Sequence, residues 1–190
     1  MGDFGVIADV STIIVDRLTD ALRGLDPTNP PTAILSDLEN QPTTATLTVF
    51  LYEIAEDPTS RNRPPVRSLP PAAPTSRKPP MALLLRYLIT PWGGSQETQH
   101  QMIGRALQVF YDDAIWSGEE LSGSMAGTTE ALQFTLTPLT LDQKSWIWYA
   151  IQKPYRLSLN YEVRVVNLDS LDVVDLRLVQ SRTLTGTPVP

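Results

Sequence analysis

Hydrophobic positions recur along this chain with two periods. Near the start, Val6, Ile7, Val10, Ile13, Ile14, Leu18, Ala21, Leu22 and Leu25 are spaced by three and four, which predicts an amphipathic helix over residues 5–25. Asp16, Arg17, Asp20 and Arg23 fall largely on its wet side, and Gly24 and Pro27 close it. A second helical stripe, Met102, Ile103, Ala106, Leu107 and Phe110, follows Ser95, a natural N-cap. Elsewhere the period is two. Residues 46–54 (TLTVFLYEI) set Leu47, Val49 and Leu51 on one face and Phe50, Tyr52 and Ile54 on the other, so both faces are expected to be covered. Residues 81–90 (MALLLRYLIT) are the most apolar strand and are predicted to be central, with Arg86 in need of a partner inside it. Leu132, Phe134 and Leu136 alternate with polar neighbours, and residues 33–38 and 172–180 carry weaker strand character.

The cleanest alternation lies within residues 139–169. From 155 to 166, Tyr155, Leu157, Leu159, Tyr161, Val163 and Val165 share one face, predicted to be core. Arg156, Ser158, Asn160, Glu162 and Arg164 share the other, with Val166 its only apolar member. Those 12 residues would span roughly 40 Å, about twice a usual strand, so they should pair with several partners or reach beyond their own domain. Just before them, Thr140 and Gln143 fit a capping box opening a short helix that Pro154 stops. The order of elements predicts an α+β fold: a mixed, mostly antiparallel sheet packed against two main helices. A single domain is expected over residues 1–169, with 170–190 as a C-terminal strand and tail ending in TLTGTPVP.

Residues 57–80 break the pattern. They hold eight prolines in 24 residues and carry Arg61, Arg63, Arg67, Arg77 and Lys78 against one acid, Asp57. Such proline density argues against a packed helix or an interior strand, so a long extended loop is predicted. Its net charge of +4 leaves −10 on the rest of a chain whose total is −6. Such a stretch suits either a solvated linker attracted to the molecule's own acidic body or a basic arm docking to a neighbouring subunit; on the second reading the five cations become candidate partner-binding residues, with Arg156 and Arg164 on the wet face of the long strand. Replacing Arg61, Arg63 and Arg67 by Ser is expected to weaken assembly without unfolding the chain.

Composition narrows the chemistry. The chain has 190 residues and no cysteine, which excludes disulfides, Cys-ligated zinc and thiol catalysis. The acidic balance argues against a nucleic-acid binder. No apolar run approaches a membrane span, Val6 stands where a myristoylation motif needs Ser or Thr, and the opening residues lack a signal-peptide pattern, so a cytoplasmic protein without membrane insertion is expected. His100, the single histidine, lies among Thr98, Gln99 and Gln101 and reads as a surface residue. Gly93-Gly94-Ser95 lacks the ending of a phosphate-binding loop and reads as a turn with an N-cap. Ser122-Gly123-Ser124 is an ordinary loop, and the pairs Asp112-Asp113 and Glu119-Glu120 read as solvated acids. Trp146 and Trp148 point about 200° apart on a helix, which predicts one in the core and one at an interface. No catalytic, cofactor or metal constellation emerges.

The run from Pro138 to Ser170, PLTLDQKSWIWYAIQKPYRLSLNYEVRVVNLDS, resembles the closing signature of the cap or tube-terminator family of phage-tail-like contractile injection systems. Val6-Ile7-Ala8-Asp9-Val10 is similar to that family's opening helix, TVFLYE to its Leu-Tyr strand, and LLLRYLITPW with the following Ile103-Gly104-Arg105-Ala106-Leu107 to its central strand and helix. The basic arm has no counterpart in the resemblance. The resemblance implies a structural protein, not an enzyme. It would form a six-fold homo-oligomeric ring at the distal end of the particle, close the inner tube and anchor the last sheath subunits. Tube and sheath proteins would be its partners. A connector or adaptor of the same particle is the alternative.

Overall fold

The structure is a computed structural model that describes residues 3–68 and 75–176. Its centre is a six-stranded mixed sheet in the order β1-β2-β5-β8-β7-β6. The strands are β1 (Thr32–Leu35), β2 (Thr46–Glu56), β5 (Met81–Trp92), β6 (Ile115–Ser117), β7 (Ala131–Leu136) and β8 (Leu159–Leu168). Only β1 and β2 run parallel; every other neighbouring pair is antiparallel. A second, three-stranded sheet joins β3 (Val66–Ser68), β4 (Thr75–Arg77) and β9 (Val173–Asp175) in that order.

Both faces of the large sheet are covered. On one, α1 (Val6–Leu22) presents Val10, Ile14 and Leu18, and α2 (Gln96–Asp112) presents Met102, Ala106 and Phe110. They meet Leu47 and Val49 of β2, Leu85, Tyr87 and Ile89 of β5, and Tyr161 and Val163 of β8 in one apolar cluster. On the other face a third helix, α3 (Leu141–Ala150), brings Trp148 onto Trp92 and Leu88, with Leu38 completing the cluster. The expected α+β fold with two main helices holds, and the short helix expected before Pro154 adds a partial third layer through its one buried side chain, a tryptophan. Ser95 caps α2 as predicted, its hydroxyl accepting from Thr98 N at 3.1 Å, and Thr140 and Gln143 close the capping box of α3.

The Gly93-Gly94 turn that links β5 to α2 needs its glycines for different reasons. Both have φ near +60°, but a Cβ on Gly93 would lie 2.1 Å from the Thr44 carbonyl oxygen, whereas one on Gly94 would meet nothing closer than 3.4 Å.

The long alternating stretch departs from expectation in three ways. First, pairing begins only at Leu159, so Tyr155 and Leu157 are exposed and not core. The chain leaves α3 through Gln152 at φ 58°, and β7 ends at Leu136 opposite Tyr161, so residues 155–158 have no strand beside them to enforce their alternation. Second, the face predicted to be wet is covered at Ser158, Asn160 and Glu162. Third, β8 carries a bulge: Leu83 pairs with Val166 but Leu85 with Val163, so β8 spends one residue more than β5 over that interval. The extra residue reverses the alternation and places Val166 in the main core with Val163. The Val165 side chain lies outside the described residues. An equivalent irregularity in β2, between Leu51 and Glu53, moves Ile54 off the face of Phe50 and leaves it half exposed.

Residues 57–80 are not a bare loop. A 3-10 turn at Pro58–Ser60 is capped by Asp57, which accepts from Thr59 N at 2.9 Å and Thr59 Oγ1 at 2.8 Å; these bonds hold the Asp57 carboxyl below the usual range. Strands β3 and β4 then pair in register Val66–Arg77, Arg67–Ser76 and Ser68–Thr75. Both fit into proline-free windows, and β4 is an interior strand because three residues between Pro74 and Pro79 suffice to pair on both sides. The strand predicted within 172–180 is observed as β9, which pairs with β4; residues 177–190, the predicted tail among them, lie outside the described residues.

Candidate functional site

A charged row crosses the α3-side face of the sheet. Glu53 on β2, Arg86 on β5 and Glu162 on β8 are successive cross-strand partners and so share one face. Arg86 donates to Glu53 Oε2 at 2.7 Å and to Glu162 Oε2 at 3.2 Å, and Arg164 donates to Glu162 Oε1 at 2.7 Å. The bond to Glu53, then that to Glu162, holds the Arg86 guanidinium still more firmly protonated, against the opposing effect of burial. Beside the row, Tyr52 donates to Asn160 Oδ1 at 2.7 Å, and burial is the main reason its phenol titrates above the ordinary value. This row supplies the partners that Arg86 required. The signal was present in the sequence: Arg86 is the single charge of the apolar β5, and Glu53 and Glu162 stand inside the apolar or alternating runs of β2 and β8. Each of the two carboxylates is paired with an arginine, an arrangement that suits register and rigidity.

Aromatic residues organise the neighbouring surface. Trp92 donates to Thr48 Oγ1 at 2.8 Å and meets Trp148 edge-on at 6.4 Å between centroids. Arg156 lies over the Trp92 ring at 4.3 Å, so it closes this cluster instead of standing on an exposed strand face. Two residues before Trp148 the chain exposes Trp146, 69% accessible, which meets Tyr149 edge-on at 6.0 Å. These two leave an aromatic outer face on α3, as the opposed directions of the two tryptophans predict, and Leu141 is exposed at the first turn of the helix.

The predicted partner-binding residues fall into two groups. Arg156 and Arg164 are committed to Trp92 and Glu162. The others ring the small sheet: Arg61 faces Glu56 at 3.5 Å, Arg63 donates to Asn167 Oδ1 at 3.2 Å and Ser60 Oγ at 3.0 Å, Arg67 stands exposed on β3, Arg77 ends β4 and Lys78 is exposed beyond it. The arm is not wholly separate from β8, since Arg63 reaches Asn167 at the C-terminal end of that strand. A further polar contact was not legible in the sequence. Asp9 on α1 accepts from Ser124 N at 2.8 Å and Ser124 Oγ at 2.6 Å, tying the 118–127 connector to the first helix, and Gly123 leaves room for its carboxylate. Among the described residues no cluster of His, Cys, Asp or Glu could hold a metal ion, and no helix is long and apolar enough to cross a membrane. His100 is exposed on the polar half of α2.

By sequence, the Pvc16 N-terminal domain family matches residues 9–182. The chain belongs to that family. Its fold is also that of solved contractile-injection proteins. The PVC sheath/tube terminator in its extended state superposes with a TM-score of 0.64 at 23% identity, over 96% of this chain and 64% of that one. The cap of the anti-feeding prophage, described as its tube-terminating cap, superposes with a TM-score of 0.62 at 21% identity, over 90% of this chain and 59% of that one. This Pvc16 domain therefore spans less than two thirds of either structure. No curated protein matches it by sequence.

Proposed function

We propose that this Pvc16 domain is a structural terminator of a contractile injection system: a ring of six copies that ends the inner tube and anchors the last sheath subunits. The supporting observation is that one fold accounts for the family match over residues 9–182 and for the likeness to a sheath/tube terminator and a tube-terminating cap. The surface suits such work. The outer face of α3 exposes Trp146 and Tyr149, side chains that cover area at low entropic cost when docked, and the sheet ends in two short edge strands, β1 and β6. Tube and sheath proteins are its partners, nucleic acid and membrane are not, and it is made in the cytoplasm, where the particle assembles. No reaction is assigned to it.

Light scattering tests the ring directly: with a 21.1 kDa protomer, six copies give about 127 kDa. A protein that stays monomeric in the presence of tube and sheath subunits sinks the proposal. Deleting the gene should yield particles of uncontrolled length; particles of normal length lacking only an attachment would point to an adaptor.

A further inference from the structure

One groove beside the main core is left open. It lies where the C-terminal end of α2 meets β7 and holds about 540 Å³. Its floor is the edge of the buried rings of Phe110, Phe134 and Tyr161, and its walls include the exposed Tyr111 and Leu136 with Leu107. Its rim is acidic. Residues 111–115 are all exposed, Tyr111 at 86%, and Asp112 and Asp113 stand between the lining residues Tyr111 and Ala114 without an ion pair to any described residue. Aromatic grooves of this kind take proline-rich segments, whose polyproline conformation is already ordered before binding, and an acidic rim selects flanking cations.

The chain carries such a segment. Residues 61–68 read RNRPPVRS, and every one of them is exposed. Pro64 and Pro65 fix the backbone, Val66 offers an apolar side chain, and Arg61, Arg63 and Arg67 supply three cations. Within one protomer the segment does not reach the groove. Arg63 is tethered to Asn167, whereas the groove is lined by Tyr161, six residues or roughly 20 Å back along β8. The side-chain contacts of the arm, Arg61 to Glu56 and Arg63 to Asn167 and Ser60, are exposed and cheap to exchange, and beyond them only the three-residue pairing of Val66–Ser68 with β4 holds the segment among the described residues.

We propose that residues 61–68 of one copy seat in the α2–β7 groove of the next, Pro64 and Pro65 against the aromatic lining and the arginines against Asp112 and Asp113. Donor and acceptor surfaces sit at different ends of β8, which permits the head-to-tail contact that a ring repeats. The ring geometry rests on the function proposed above; the pairing of arm with groove does not.

Two measurements separate those claims. A fluorescent peptide RNRPPVRS titrated into the full chain carrying Arg61→Glu/Arg63→Glu/Arg67→Glu, whose arms leave the grooves open, should bind saturably, and adding Asp112→Lys/Asp113→Lys to that chain should weaken it at least about tenfold. Equal affinity for both proteins, or no saturation in the millimolar range, overturns the pairing. Second, Asp112→Lys/Asp113→Lys and Arg61→Glu/Arg63→Glu/Arg67→Glu should each abolish self-association, while a 1:1 mixture restores it, because the two reversals complement each other in an alternating ring. A wild-type ring whose reversals assemble unchanged refutes the pairing and leaves the terminator reading standing. A wild-type monomer that nonetheless binds the peptide refutes the ring and keeps the groove.

Discussion

Removing Arg86 tests the view that the charged row holds the register of the central strands. Consider Arg86→Met, which keeps the aliphatic bulk and deletes the guanidinium. Glu53, whose side chain is 43% exposed, turns to water at a cost of about 0–1 kcal/mol. Glu162 fares worse, since its side chain is 6% exposed and its Oε2 loses the only partner it has on β5. A buried ion stripped of every partner costs about 3–5 kcal/mol. Here Arg164 still serves Oε1 and Arg86 was itself one third exposed, so about 2 kcal/mol is expected in total. Glu162→Gln alone should cost about 1 kcal/mol, because Arg86 keeps Glu53. The double variant has no stranded charge and should be no less stable than Arg86→Met, giving a coupling energy of about 1 kcal/mol or more. Urea unfolding followed by tryptophan fluorescence, at one fixed protein concentration, reads this as a midpoint shift of about 1 M for the single variant. Losses that add to within about 0.3–0.5 kcal/mol would show that the two residues act independently and refute the argument.

Three further outcomes follow from the packing. Gly93→Ala should cost more than about 2 kcal/mol, the left-handed penalty plus a clash with the Thr44 carbonyl, while Gly94→Ala should cost about 1–2 kcal/mol; thermal melts that rank them the other way contradict the turn geometry. Trp148→Ala should cost about 3–5 kcal/mol and Trp146→Ala no more than about 0.5 kcal/mol in the isolated protein, as judged by chemical denaturation. Burial pushes the Tyr161 phenol up to about 12 from an ordinary 10.0, so the folded state binds its proton more tightly than the unfolded chain. Its contribution is complete below pH 10.0 and is lost as pH rises to about 12, so Tyr161→Phe should melt with a smaller alkaline loss over that window; an unchanged slope counts against a buried phenol.

Much of this architecture could be read from periodicity. The stripes of α1 and α2, the apolar centrality of β5 and the opposed tryptophans of α3 all follow from spacing alone, because burial on one face imposes it. Periodicity failed where the chain slips phase. Val166 looks misplaced until the bulge of β8 is known, and a bulge depends on what β5 does across the ladder, not on any local preference. Alternation without a partner misled in the opposite sense at Tyr155 and Leu157. The small sheet was hidden by its prolines, since composition averaged over residues 57–80 masks three-residue windows in which strands can pair. At the surfaces, the arm's charge was plain in sequence, but the groove was not: Phe110, Phe134 and Tyr161 come from three elements far apart along the chain.

The placement of β8 also sets an order of events during synthesis. Met81 must wait for Leu168 and Ile89 for Leu159 before β5 is hydrogen-bonded on its second side. Until then the most apolar strand of the molecule is an open edge, apolar on both faces, held on one side by β2 alone. Helix α2, strands β6 and β7 and helix α3 all leave the ribosome in that interval and cannot complete the sheet without β8. Contacts so distant in sequence form slowly, and an edge exposed meanwhile invites misassociation with neighbouring nascent chains. The interval between the synthesis of β5 and that of β8 is therefore the stage at which this protein has most need of a chaperone, and slowing translation within it should lower the soluble yield.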